Sequence, residues 1–407
     1  MSDTSATFEA RRPPTGVGDG VELIAWCRQM REHHPVWLDD ETQGVHVFGF
    51  DDIQTVLSTP EVFGSDFGEL TPDFGADVPN FMEGVLTMTD PPMHGKLRKL
   101  ISQGFTPRSI ARLEPRVAEL ADELFDSVVG QDRFDFVSSI TYPLPVIVIA
   151  ELLGIPASDR DLFREWGEAL LASNYELPVG AIPEGDIPTN VVDQMKEMRD
   201  YLLSHVEDRR RNDRGDLISR LVAVEIAGER LRDTEVVGFL NFLLLAGHLT
   251  TTLLMGNALL AFGDAPEALA RVRADRSLIP AAVEETLRHR PPVIFQYRLT
   301  KRDTEVGGVL VPAGRPLVTW LLAGNRDPEK FVDPDRFDLD RVNNGHLTFG
   351  HGIHFCLGTP LARMESRLVM ERLLERYSDW SFEPPVYYER SPDIFGVKSL
   401  TLNVTST

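Results

Sequence analysis

Between Asp90 and about Ser173, apolar residues recur at spacings of three and four, the period of an amphipathic helix. ARLEPRVAELADELFDSVV (Ala111 to Val129) and ITYPLPVIVIAELLGI (Ile140 to Ile155) show it most clearly. The rhythm changes at VWLDDETQGVHVFGF, residues 36–50, where two short apolar runs flank a polar, glycine-containing turn; this predicts a hairpin. Two stretches have no period. Residues 59–92 are rich in Gly, Pro, Asp and Phe, and residues 174–191 in Gly and Pro, so both predict long irregular loops. Loops of that length inside a compact domain commonly carry function. The first holds Phe63, Phe67, Phe74, Phe81 and Met82, which suggests a lid over an apolar space. The chain ends in helices and short strands, LTLNV (Leu400 to Val404) among them, and shows no internal repeat.

One run stands apart. From Val236 to Phe262 there is no Asp, Glu, Lys or Arg. Asp233, Thr234 and Glu235 offer an N-cap and first-turn acids for a helix that starts there. Helical to Phe262, it has about 29 residues and spans roughly 43 Å. Length and polarity suit a membrane span. Asn241, His248, Thr250 to Thr252 and Asn257 are scattered through it, however, and no second such run exists. A buried central helix is the better expectation.

Composition narrows the class. The 407 residues are 42% hydrophobic and carry a formal charge of −22, from 63 acidic and 41 basic side chains. Such a field repels phosphate backbones, so nucleic acid is not an expected partner. The two cysteines, Cys27 and Cys356, lie far apart; a disulfide framework and a four-cysteine iron–sulfur cluster are both excluded as organising principles. The N-terminal segment of about residues 1–18 is polar and reads as frayed, with no apolar leader. A soluble, cytoplasmic monomer without a membrane partner is expected.

The strongest local signal is FGHGIHFCLG, Phe349 to Gly358. Its glycines allow close approach of the backbone to a large flat ligand, and a thiolate held there is a soft metal ligand. His346, His351, His354 and Cys356 also allow a zinc site, although a His-x-Cys pair is tighter than the usual ligand spacing. An inert buried cysteine is a third reading.

Taken with other stretches, the loop resembles the haem-ligand signature of the cytochrome P-450 enzymes, matched at Phe349, Gly352, His354, Cys356 and Gly358. EETLR supplies Glu285-x-x-Arg288, similar to the Glu-x-x-Arg ion pair of that family, and GNRDPEKFVDPDRFDLDR (Gly324 to Arg341) resembles its Asn-Arg-Asp-Pro segment. The resemblance runs from the hairpin to the last strand. It implies a mainly α, triangular cytochrome P-450 fold with a small β-rich edge, one domain over residues 1–407.

It implies haem b (iron protoporphyrin IX) as cofactor, with Cys356 as the iron's axial ligand. His94 and Arg98 in DPPMHGKLR, Arg298 in FQYRLT, and His354 would contact the propionates, with Phe349 and Gly358 beside the cofactor. Two buried carboxylates need such partners. The long apolar helix would cross the distal face, where Ala246, Gly247 and Thr250 form a groove for dioxygen and the threonine hydroxyl donates to it or holds a water. Thr251 and Thr252 are expected to satisfy backbone carbonyls, and His248 to be an interior residue rather than a catalyst. The family usually has an acid before the threonine; this chain has Leu249, which leaves the proton route open.

The implied function is a monooxygenase that hydroxylates or epoxidises a bulky apolar small molecule in natural-product, polyketide- or macrolide-type biosynthesis. A carrier-bound substrate, oxidative coupling or peroxide use, and a non-catalytic haem-binding module are the alternatives. By analogy the pocket uses Phe81, Met82, Val85, Leu243, Val293, Ile294, Phe295 and Phe395. Electrons would come from an external ferredoxin and its reductase. Lys96, Lys99, Arg108, Arg112, Arg363 and Arg367 could form their docking face.

Overall fold

The computed structural model describes residues 12–14, 17–68, 84–102, 105–159, 162–163, 165–166, 189–223, 225–226, 228–388 and 394–407. Phe74, Phe81 and Met82, and most of the 174–191 loop, lie outside these residues. Thr189 already belongs to a helix, so the second predicted loop ends earlier than its composition suggested.

The hairpin forms as predicted. β1 (Val36–Leu38) and β2 (Val45–Val47) pair antiparallel, with Val36 opposite Val47. They open a five-stranded sheet that also takes in β3 (Phe63–Gly64), β5 (Gln296–Thr300) and β6 (Pro316–Thr319), in the order β1-β2-β6-β5-β3. A second sheet joins β4 (Arg133–Asp135) to the C-terminal strands β7 (Tyr377–Phe382) and β8 (Thr401–Ser406), in the order β7-β8-β4. Both are small beside the helices.

Helices α1 (Val21–His33), α2 (Phe50–Ser58), α3 (Met93–Ile101), α4 (Glu114–Asp126), α5 (Pro143–Leu153) and α6 (Thr189–Arg211) precede the long apolar one. That helix, α7, runs from Asp233 to Asp264, 32 residues or roughly 48 Å. Its cap differs from the expected one: Arg232 is the N-cap, and its amide donates to Glu235 Oε2 at 2.7 Å. α7 packs against α5 and α6 and against α8 (Ile279–His289) and α9 (Thr359–Arg376). Protein rather than lipid therefore covers it, as its all-round apolarity allows. The largest core cluster surrounds it, including Leu240, Leu254, Leu259, Ile149 and Leu373.

The polar residues of α7 are fastenings. Thr252 Oγ1 donates to the carbonyls of Thr141 at 2.9 Å and His248 at 3.1 Å. Asn257 Nδ2 donates to Arg290 O at 2.9 Å and Phe395 O at 2.8 Å, tying the helix to two non-helical segments. His248 is buried against the Tyr142 ring, 4.1 Å between centroids, and burial lowers its pKa to about 4. Its Nε2 has no partner among the described residues, so it is interior, as expected, but only half satisfied.

Glu285 and Arg288 form the second anchor. Both are fully buried, and the guanidinium grips the carboxylate through Nε at 2.9 Å and Nη2 at 2.7 Å. Arg341 Nε and the Asp338 amide also reach Glu285, at 3.0 and 2.9 Å. Arg288 donates onward to the carbonyls of Asn325, Pro334 and Arg336. The pair thus fixes the 324–341 segment, and through it the entry to the Cys356 loop, with every charge hydrogen-bonded.

Candidate haem-thiolate site

The loop that carries Cys356 owes its path to its glycines. Gly352 has φ +69°, and a Cβ there would lie 2.5 Å from the carbonyl oxygen of Leu57 in α2. No other residue fits both conditions. The Cys356 amide donates to Phe349 O at 2.9 Å, which closes the loop, and the Thr359 hydroxyl donates to Cys356 O at 2.8 Å. Phe349 lies beneath, its ring against the Arg363 guanidinium at 4.9 Å.

Cys356 is exposed, whereas Cys27 lies on α1 and is buried in the core. Protein nevertheless crowds its sulfur and pushes the thiol pKa up. The amides of Gly358 and Thr359 and the Thr359 hydroxyl act against that shift. These groups belong to the first turn of α9, where unpaired N–H groups and the helix dipole favour a thiolate. A Cβ on Gly358 would stand 3.8 Å from Sγ, in ordinary contact.

Four cationic or imidazole side chains face one another across this loop. His94 and His354 have ring centroids 4.3 Å apart. Arg298, on β5, is 5% exposed and gives Nη1 to Tyr297 O at 2.6 Å. Arg98, one turn past His94 on α3, gives Nη2 to Phe355 O at 2.5 Å. Burial, aided by Arg298 and His94, lowers the pKa of His354 to about 3; burial and Arg98 lower that of His94. Burial brings Arg298 down to about 10 against the pull of Asp90.

Three donor positions in this group are buried without a partner among the described residues: His94 Nε2, Arg298 Nη2 and His354 Nδ1. Orphans of this kind are rare and costly, and here they converge. A bound carboxylate pair would satisfy them. A soft axial sulfur, glycine-permitted approach and unmet carboxylate donors together fit haem. The zinc alternative finds no support, since no group of three or more His, Cys, Asp or Glu converges as a metal site among the described residues.

One face of α7 differs from the rest of that helix. Phe242, Leu243, Ala246, Gly247 and Thr250 are partly exposed, while most of the helix around them is buried. The Thr250 hydroxyl donates back to Ala246 O at 2.7 Å. Gly247 has a second use: its missing Cβ points at Ile149 Cδ1 on α5. Leu249 turns aside into a small apolar cluster with Leu253 and Ile394, against which Tyr388 packs.

The expected pocket residues divide. Leu243 and Val293 are partly exposed, and Val85 is buried next to Gly84, which presses on the backbone of Glu235 at the start of α7. Ile294, Phe295 and Phe395 are buried, in the cluster that also holds Trp26, Phe48 and Trp320. Val293 and Ile394 form an isolated antiparallel bridge, and the residue after each, Ile294 and Phe395, is buried in that core. Apolarity alone does not separate a core face from a pocket face; register does.

Comparison with known proteins agrees. The cytochrome P450 family model matches residues 18–393. The chain is 42% identical to cyclomarin C epoxidase CymV of Salinispora arenicola over 392 residues, 96% of this chain and 98% of that one. It is 40% identical to the erythromycin C-12 hydroxylase of Saccharopolyspora erythraea, covering 89% of each. The ligand-free structure of cytochrome P450 TbtJ1 superposes with a TM-score of 0.86 at 44% identity, over 96% of this chain and 100% of that one. Such matches over nearly the whole length place this chain in the cytochrome P450 family, as a monooxygenase with a haem-iron cofactor that acts on a small molecule and dioxygen.

Proposed function

We propose that the chain hydroxylates or epoxidises a bulky, largely apolar natural product of the macrocyclic kind, with haem b held by Cys356. The observation that carries this reading is the convergence of three orphaned donors, His94 Nε2, Arg298 Nη2 and His354 Nδ1, on the side of a loop that exposes a cysteine. When bound, haem supplies the oxygen activation, which a thiolate ligand favours. The chain supplies the rest. The first turn of α9 holds the sulfur as thiolate; His94, Arg98, Arg298 and His354 receive the propionates; and the partly exposed face of α7 bounds the reacting space. Thr250, whose hydroxyl donates to Ala246 O, is the residue proposed to hold or pass a proton there. Leu249 lies in an apolar cluster, so protons reach Thr250 through water or a polar group of the substrate.

The epoxidase and hydroxylase among its relatives, named for cyclomarin C and erythromycin, support a large substrate. Leu243, Val85 and Val293 are its proposed apolar contacts. Electrons come from a ferredoxin and its reductase. A depression of about 340 Å3 is lined by Ile110, Ala111, Pro360 and Met364 together with Arg363, Arg367, Glu114 and Glu284. The interior position of α7 supports a soluble protein. The test is the reduced, carbon monoxide-treated spectrum of wild type beside Cys356→Ser. A long-wavelength Soret band lost in the variant is expected; a wild type without it overturns the reading.

A further inference from the structure

Ser65 is 1% exposed, and its hydroxyl lies 3.1 Å from Nε2 of His354, the only hydrogen bond that hydroxyl makes among the described residues. The serine is itself held. Its amide donates to Asp90 Oδ1 at 2.9 Å, the Asp66 amide reaches Oδ2 at 3.4 Å, and Lys301 Nζ closes on the same carboxylate at 2.8 Å. Lys301 also donates to Pro60 O at 2.8 Å. Gly64 leaves space for this clasp: a Cβ there would stand 2.6 Å from Asp90 Oδ2 and would collide with Lys301. Asp90 thereby joins the segment after β3, the approach to α3 and the end of β5. The hydroxyl is fixed before any ligand arrives.

A neutral imidazole carries its single hydrogen on one nitrogen or the other. The Ser65 hydroxyl has a hydrogen to give and, among the described residues, no other hydrogen-bond partner. Donation to Nε2 leaves the imidazole hydrogen on Nδ1, the buried nitrogen without a partner. The opposite arrangement would bury the hydroxyl hydrogen without an acceptor and turn a lone pair of Nδ1 toward carboxylate oxygens. We propose that Ser65, held by the Asp90–Lys301 clasp, is a positioning residue that fixes His354 as an Nδ1–H donor to a haem carboxylate. The proposal rests on the haem reading above. Ser65 touches no ligand in it and acts through His354, as outer residues orient those that bind.

The experiment is haem loss from the ferric holoenzyme to excess apomyoglobin, followed at the Soret band, in wild type, Ser65→Ala, His354→Ala and the double variant. Ser65→Ala is expected to speed loss about five- to tenfold, the worth of one buried hydrogen bond. In the His354→Ala background the same change is expected to add almost nothing. No acceleration, or equal acceleration in both backgrounds, overturns the proposal. Should a variant fail to fold, ¹⁵N-histidine spectra of the wild-type ferrous carbon monoxide complex decide: a hydrogen on His354 Nδ1 supports the assignment and a bare Nδ1 overturns it. A wild type with no Soret band fails the parent reading instead, so the two failures are distinct.

Discussion

Ile149 and Gly247 set how closely α5 approaches α7: a Cβ on Gly247 would stand 2.5 Å from Ile149 Cδ1. Gly247→Ala must push the isoleucine off its rotamer or part the helices, and overpacking of this kind costs about 1–3 kcal/mol. A lower urea midpoint at unchanged slope is the expected signature. Ile149→Val removes the offending methyl, so the double variant should lose less than the two single losses together. Strict additivity would show that the contact does not limit the helices.

The Glu285–Arg288 pair leads to a harsher outcome. Truncation of Glu285 leaves the buried Arg288 charge without its carboxylate, and truncation of Arg288 strips Glu285 of its two-pronged partner and frees three carbonyls, at about 3–5 kcal/mol. Arg288→Ala is expected to leave most of the protein insoluble. Arg288→Lys should do little better, because an ammonium cannot serve Glu285 by a two-pronged grip and three carbonyls at once. Soluble yield and the urea midpoint check both. A lysine variant as stable as wild type would refute the role of the fork.

Glu365 on α9 gives a pH signature. It is 1% exposed, its Oε2 has no partner among the described residues, and burial pushes its pKa up to about 8. In the native state it therefore keeps a proton that the unfolded chain releases above about 4.5. The unfolded state binds fewer protons across that window, so this group lowers stability as pH rises from about 4.5 to 8. Glu365→Gln, neutral throughout, should match wild type near pH 4.5 and exceed it by a few kcal/mol at pH 8. Urea midpoints of both at pH 5, 6.5 and 8 measure the difference. A gap that stays constant with pH would sink the assignment.

What was legible in the sequence follows from what sequence encodes. The hairpin and the 32-residue helix leave strong local patterns of period, whereas the Glu285–Arg288 spacing is weak alone and gains meaning from the segments that follow it. Cys356 and the imidazole and guanidinium side chains around its loop were legible only through the family resemblance. Ser65 and Lys301 left no pattern, because their roles arise only when β3, β5 and the approach to α3 are brought together. Which apolar space Phe295 and Phe395 face was not legible either, for a related reason. Hydrophobicity says that a side chain avoids water, but the sheet register decides which apolar space receives it.

Electron delivery brings a final division among residues that the sequence grouped as one basic face. Arg363 and Arg367 are neutralised in place, by Glu284 at 2.7 Å through Arg363 Nη2, and by Glu114 together with Glu371. Glu284 is half of a real bond: burial raises its pKa, but His346 and Arg363 outweigh that and bring it to about 2. Lys99, Arg108 and Arg112 are exposed and have no ion-pair partner among the described residues. Charge reversal at Lys99 or Arg112 should therefore raise the KM for an acidic ferredoxin about tenfold at low salt with kcat little changed, and the penalty should shrink as ionic strength rises. Arg363→Glu should instead cost stability, since it sets two carboxylates against each other beside Phe349. Steady-state reduction rates across a salt series, read beside thermal melts, separate the two groups. A salt-independent KM for the Lys99 and Arg112 variants would place the electron donor on another face.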